Sequence, residues 1–263
     1  MENYTEEIRN NKLIRLERYY LHLKNTKNAS IIQTLCGSYN TIGLGELVLH
    51  SQDIVTAKKY FFKAGKSQLL YLYLYKGYYP KYIYDDIPSF VATVFYGVMP
   101  ILLCDNEELL VNFIKPLTRL ETEIYTDKED IAICFALKYL LLNNSENANE
   151  ALGESYLTAK RLCKYLGLVI AGILKKDLQL IKRGIDGEIK RHKKSNKHSM
   201  FYSISQEATA WVKLAKRFGF EPDLNSSFIN KELLETSQNI KYEDITEVYK
   251  ALDIIPFRLS VSE

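Results

Sequence analysis

The sequence has few of the residues that interrupt regular structure. Only 12 glycines and 6 prolines are spread over 263 residues, whereas a β-sandwich or β-barrel needs a turn about every 8 to 12 residues. With 47% hydrophobic and 25% charged residues, the composition is that of an ordinary globular protein. The shortage of turn residues favours long helices, and the composition argues against a disordered or low-complexity chain.

The sequence also lacks paired cysteines and clustered metal ligands. The four cysteines lie far apart, each among apolar neighbours: Cys36, Cys104, Cys134 and Cys163. Zinc sites use closely spaced pairs instead. The four histidines show no HExxH spacing. We therefore expect free, buried thiols, no metal site and no cofactor.

No apolar run is long enough to cross a membrane. The longest, residues 90–104, is interrupted by Pro100 and falls short of the roughly 18 residues that a spanning helix needs. The first 20 residues contain acids and amides where a signal peptide has a basic region followed by an apolar one. We expect a cytoplasmic protein without a membrane span.

Charge and motifs exclude further classes of function. A net charge of +3 is too near balance for the whole molecule to capture nucleic acid, so no nucleic-acid partner is predicted. The chain contains no GxSxG, Walker A or cysteine–histidine motif, and an enzyme is therefore not predicted. A lone GxG at Gly43 and Gly45 lies inside a helical pattern, where close helix packing explains it better than a phosphate site.

Helical periodicity and capping residues predict the elements. Asp53 is the predicted N-cap of a helix that ends near Gly65, and Asp105 is the predicted N-cap of a short helix further on. Asp177 precedes another helix, and Ser203 with Gln206 has the spacing of a capping box. The helix after this box places Trp211 on an apolar stripe, so we expect this side chain to be buried.

Residues 69–84 fit two patterns. Tyr71, Tyr73 and Tyr75 alternate as in a strand, yet Leu70, Tyr71 and Leu74 also share a helical stripe. The helical neighbours on both sides favour a helix that ends in an irregular tyrosine-rich loop, and a short strand stays open. We expect Tyr71 and Tyr75 to belong to the core.

Pairs of apolar helices joined by short polar turns recur along the chain. Residues 49–57 (LHSQDIVTA) and 174–181 (LKKDLQLI) show the pattern most clearly. Such pairs predict an all-α fold in which stacked helical hairpins form a compact, irregular α-solenoid-like array of about ten helices. No linker divides the chain, so residues 1–263 are predicted to form a single all-helical domain.

Two groups of residues are candidates for binding a partner. Tyrosine offers a large contact area at low entropic cost, and basic side chains can contact an acidic surface. The alternatives are burial in the core for the tyrosines and a solvated helix end for the basic residues. The candidates are Tyr78, Tyr79, Tyr82, Tyr84, Lys190, Arg191, Lys193, Lys194 and Lys197.

Two segments resemble a known family. Residues 45–64 read GELVLHSQDIVTAKKYFFKA, and residues 171–234 contain Asp177 followed by SQEATAWVKLAKRFGFEPDLNSSFINKELL. Together they resemble the immunity protein 49 family of bacterial polymorphic-toxin systems. The resemblance implies an all-helical, non-enzymatic protein that binds and neutralises a cognate toxin protein, with no catalytic residues. The alternative hypothesis is a helical-repeat, tetratricopeptide-like adaptor or regulator that binds a protein or peptide in a groove. The oligomeric state stays open.

Overall fold

The computed structural model describes residues 2–49, 53–79, 89–118, 127–160, 162–196, 202–222, 225–235 and 240–257. These residues form thirteen α-helices and no strand, which confirms the all-α prediction. In chain order the helices are α1 (Glu2–Thr26), α2 (Ser30–Leu49), α3 (Ile54–Tyr75), α4 (Phe90–Cys104), α5 (Glu107–Ile114), α6 (Lys128–Leu141), α7 (Ser145–Leu152), α8 (Ser155–Thr158), α9 (Lys164–Lys175), α10 (Leu178–Ser195), α11 (Gln206–Arg217), α12 (Lys231–Leu234) and α13 (Thr246–Leu252).

Helix α3 is longer than predicted. The sequence placed its end near Gly65, but the helix continues to Tyr75. A Cβ atom at Gly65 would lie 2.4 Å from Cγ1 of Ile101 on α4, so this glycine permits close helix packing and does not end the helix. Residues 69–75 are therefore helical, and the strand alternative is wrong for them. The rest of that segment beyond Tyr79 lies outside the described residues.

Glycine has the same role where α2 meets α3. A Cβ atom at Gly43 would lie 2.9 Å from the ring of Phe61 and 3.2 Å from the carbonyl oxygen of Ala57. The GxG motif lies within a helix that packs against its neighbour, as the sequence predicted.

Two of the predicted N-caps are displaced. Asp105 follows α4 in the left-handed conformation with φ 58°, and Oδ1 of Asn106 accepts the backbone hydrogen bond at the start of α5 instead. Ser205, not Ser203, caps α11. The caps at Asp53 and Asp177 are confirmed. Because Asp105 does not cap a helix, its carboxylate is available for other partners.

The buried side chains form two hydrophobic clusters. The larger one unites residues of α2 to α7 and α9 to α12, and the smaller one unites residues of α1, α2, α3 and α13. Trp211 is 0% exposed, with its ring centroid 5.5 Å from that of Phe95, which confirms the predicted burial. Tyr71 is fully buried, Tyr75 is partly buried against the larger cluster, and all four cysteines are free and buried, as expected.

Helices that are far apart in the sequence also pack together. Consecutive pairs such as α2 with α3 and α9 with α10 make extensive contacts, but α1 also packs against α13, and α4 against α11. In a solenoid each repeat contacts mainly its neighbours, so the solenoid-like part of the prediction is not confirmed. No helix in the described ranges combines the length and apolarity needed to cross a membrane.

Candidate functional site

Positive charge is concentrated in the hairpin of α9 and α10. Residues 160–197 contain twelve lysines and arginines and three acidic residues, a net charge of +9 in a chain whose total is +3. The remainder of the chain is therefore acidic overall. We call the outer surface of this hairpin the basic face.

The local sequence explains why the charges lie outside. Ile181, Ile185 and Ile189 follow one stripe of α10 and are buried, so the polar stripe of this amphipathic helix must face solvent. A Cβ atom at Gly184 would lie 2.7 Å from the carbonyl oxygen of Tyr165, which shows how closely α10 approaches α9. Nine basic side chains of the hairpin region are exposed: Lys160, Lys164, Lys175, Lys176, Lys182, Arg183, Lys190, Lys193 and Lys194.

The three acids of this segment are outnumbered by the nine exposed basic side chains, and only Asp177 among them is exposed. The Asp177 carboxylate caps α10 by accepting backbone hydrogen bonds from Gln179 and Leu180. Glu188 is buried on the inner side. Asp186 is half-buried. The exposed surface is therefore positive over both helices.

The predicted basic residues divide into exposed and engaged groups. Lys190, Lys193 and Lys194 belong to the basic face, with Lys193 Nζ 4.5 Å from the ring centroid of Phe228. Arg191 instead lies half-buried, donating to the Glu188 carboxylate at 2.8 Å and to the carbonyl oxygen of Leu162 at 3.0 Å. Arg191 thus links α10 to the segment before α9. Lys197 lies outside the described residues.

Two of the tyrosine candidates, Tyr78 and Tyr79, border a cleft of about 620 Å³. Tyr78 is 63% exposed, and half-buried Tyr79 donates its hydroxyl hydrogen to the carbonyl oxygen of Ile255 at 3.3 Å. Burial raises the pKa of Tyr79 further above its normal value. Tyr82 and Tyr84 lie outside the described residues. We call this site the tyrosine cleft; its walls include Tyr73, Tyr78, Tyr79, Lys115, Pro116 and Phe257.

A buried ionic cluster was not expected from the sequence. Lys58 on α3 and Lys213 on α11 both pair with the carboxylate of Asp105. The three positions are too far apart in the sequence for any spacing pattern to predict their contact. Asp105 was also interpreted as a helix cap, which gave no indication of an ion pair. A cavity of about 360 Å³ lies beside the cluster. Across the part of the chain that the structure describes, no group of three or more metal-ligating side chains could hold a metal ion.

Comparison of the chain with family models, with curated proteins and with solved structures finds no match in any of the three. The resemblance to the immunity protein 49 family therefore rests on the two sequence segments alone, and function must be argued from the basic face, the tyrosine cleft and the buried cluster.

Proposed function

We propose that this protein is a non-catalytic immunity protein that binds a cognate bacterial toxin in the cytoplasm and neutralises it. The observation that carries the proposal is the basic face, in which eight exposed lysines and arginines lie on α9, α10 and the turn between them, and a ninth, Lys160, lies just before α9. Much of this surface falls within residues 171–234, the stronger of the two segments that resemble the family.

The basic face suits an acidic protein partner. Charge complementarity raises the rate of association and fixes orientation more than it raises affinity. In this proposal an acidic surface of the toxin approaches the basic face, and electrostatic attraction increases the frequency of productive encounters. Binding without turnover then blocks the toxin.

The tyrosine cleft supplies a second type of contact. Exposed Tyr78 can enter an interface with little loss of side-chain entropy, because tyrosine has only two rotatable side-chain bonds. Aromatic residues of this kind often account for much of the binding energy and slow dissociation. In this proposal the basic face raises the association rate constant, and Tyr78 lowers the dissociation rate constant.

The test is co-expression with the toxin encoded by the neighbouring gene, followed by purification of the complex and measurement of both rate constants. Charge reversal in K193E/K194E is expected to slow association about tenfold at low salt and to weaken its salt dependence. The matched control is K24E/K250E, which changes the net charge equally at exposed lysines of α1 and α13. Y78A is expected to accelerate dissociation, whereas Y96A, at an exposed tyrosine of α4, is not.

Two results would contradict the proposal. If the neighbouring toxin does not bind, or if cells that express it die equally with and without this protein, the immunity function is wrong. If the purified protein instead binds double-stranded DNA tightly at about 150 mM salt, the basic face is a nucleic-acid-binding surface and not a toxin-binding one.

A further inference from the structure

A cavity of about 330 Å³ has walls formed by α2, α3 and α4. Three of its described wall residues carry side-chain amides, namely Gln33, Asn40 and Gln68, and none of the described wall residues is charged. We call it the amide cavity. Its volume lies near the lower end of the range for small-molecule sites, and its described walls share no residue with the basic face or the tyrosine cleft.

The side-chain amide of Gln68 has no partner of its own. Gln68 is only 4% exposed, and its amide makes no hydrogen bond with any residue that the structure describes, although both amide atoms keep some accessible surface. A buried amide that lacks hydrogen bonds is costly. Gln68 therefore has a donor and an acceptor in one plane at the wall of the cavity, both available to a ligand.

The amide of Asn40 is fixed in orientation by α11. Nδ2 of Asn40 donates to Oε1 of Gln206 at 2.7 Å, and Nε2 of Gln206 donates back to Oδ1 of Asn40 at 2.6 Å. A primary amide has two donor hydrogens and an oxygen with two lone pairs. Asn40 thus keeps one hydrogen and one lone pair for further hydrogen bonds at the cavity wall.

Sulfur and aromatic groups form another part of the wall. Cys36 and Met99 are buried, and burial raises the pKa of the Cys36 thiol to about 12, so this thiol is uncharged. The Tyr96 side chain is 52% exposed, which places it where the cavity opens to solvent. Sulfur makes favourable contacts with aromatic rings, and a tyrosine ring can stack on them, so these walls suit a flat aromatic ligand.

Gly37 in the middle of α2 is not explained by packing. A Cβ atom there would meet no atom within 4 Å, whereas one at Gly43 of the same helix would press against Phe61. Glycine weakens a helix relative to alanine, and no neighbouring helix requires it at this position. Because Gly37 belongs to the cavity wall, the missing side chain leaves room for a ligand to approach the α2 backbone closely.

We propose that the amide cavity binds a neutral, planar nitrogen heterocycle whose edge carries an N–H donor beside an acceptor, as in a free nucleobase or nucleoside. Such an edge pairs with the amide of Gln68 through two hydrogen bonds, in the way that glutamine pairs with adenine. The ring lies against the sulfur groups and Gly37. This site is separate from the proposed toxin-binding surfaces and does not depend on them.

The probes are 9-methyladenine and 1-methyluracil, measured by calorimetry and by amide NMR shifts at pH 7. Each has a matched control that lacks the N–H donor of the edge: 9-methylpurine for the first and 1,3-dimethyluracil for the second. We expect at least one probe to bind with 1:1 stoichiometry and at least about tenfold more tightly than its control, because the control leaves a buried polar group unpaired.

Two variants assign the binding to the cavity. Q68L keeps a side chain of similar size but removes the amide, and G37L places a side chain in the open space beside α2. Each is expected to weaken binding of the probe at least about tenfold. T34L adds the same side chain at an exposed position of α2 and should bind the probe as the wild type does.

The variants also separate ligand binding from a structural role. Q68L removes an unpartnered buried amide, and G37L replaces glycine by a better helix former. Both are therefore expected to unfold in urea at the same concentration as the wild type or at a higher one, while they lose the probe.

The proposal fails if neither probe binds more tightly than its control, because the Gln68 amide would then be satisfied by water alone. It also fails if Q68L and G37L bind the probe as the wild type does. Adenosine or uridine monophosphate distinguishes a nucleotide from a free base or nucleoside. If the monophosphate binds at least about tenfold more tightly than the methylated base, a cation belongs to the site and a neutral ligand is wrong.

Discussion

Glu188 has the most unusual environment among the acidic side chains of the basic hairpin. It is 1% exposed, and Nη2 of Arg191 lies 2.7 Å from its Oε1 atom. Burial raises the pKa of Glu188 to about 7 from a normal value of 4.5, because the loss of water outweighs the attraction of Arg191. The folded protein therefore holds the proton more tightly than the unfolded chain does.

This pKa shift predicts a pH-dependent contribution to stability. A raised carboxyl pKa stabilises the fold fully below pH 4.5, and the contribution is lost as the pH rises through about 7. Over this range we expect the wild type to lose up to about 3 kcal/mol relative to E188Q, since one pKa unit corresponds to about 1.4 kcal/mol. Urea unfolding of both proteins at several pH values between 4.5 and 7.5 measures the difference.

The matched control for Glu188 is E247Q, because Glu247 is 59% exposed. Its difference from the wild type should vary little over the same pH range. A difference between E188Q and wild type that stays constant with pH would show that Glu188 titrates normally in the folded protein.

Helix α10 has a side-chain N-cap at its start and basic residues in its last turn. Oδ1 of Asp177 accepts hydrogen bonds from the backbone N–H groups of Gln179 and Leu180 at 2.9 and 3.0 Å. These groups have no partner within the helix. The last turn contains Lys193 and Lys194, whose positive charges are favourable near the negative end of the helix dipole.

We expect D177A to lower the free energy of unfolding by about 1 kcal/mol. D177N is the matched comparison, because asparagine is equally uncharged but keeps an oxygen that can accept the same hydrogen bonds. Denaturant unfolding of both variants should show D177N to be the more stable one. Equal stabilities would mean that the capping hydrogen bonds contribute nothing measurable.

At the scale of the whole molecule, α3 connects the two hydrophobic clusters. Phe61 and Leu69 belong to the larger cluster, whereas Leu70 and Tyr71 belong to the smaller one. A helix buried on both sides cannot lose its packing in one cluster without affecting the other. We therefore expect the chain to unfold as one cooperative unit, as a single domain would.

L35A tests this cooperativity. Leu35 is fully buried in the smaller cluster, and its truncation should cost about 2 to 5 kcal/mol. The fluorescence of Trp211 reports on the larger cluster, while circular dichroism reports on all helices. We expect L35A to shift both unfolding curves to the same lower midpoint. A fluorescence midpoint that stays at the wild-type value would show that the clusters unfold separately.

Local patterns in the sequence predicted most of the helices and part of the site. The caps at Asp53 and Asp177 and the burial of Trp211 followed from residue type and spacing within one or two turns. The exposed lysines at positions 190, 193 and 194 followed in the same way, because the apolar stripe of α10 determines which face is left to solvent.

Other features of the protein depend on partners that are distant in the sequence. From the sequence, Gly65 is a predicted helix end, but in the fold it allows Ile101 of α4 to pack closely against α3. The sequence does not distinguish Arg191 from its exposed basic neighbours, but in the fold it donates hydrogen bonds to Glu188 and to the carbonyl oxygen of Leu162. Asp105 had the local appearance of a cap, but packing of α3, α4 and α11 places it between two buried lysines. Hydrophobic spacing and caps are local properties, whereas packing and charge pairing arise only when separate helices meet.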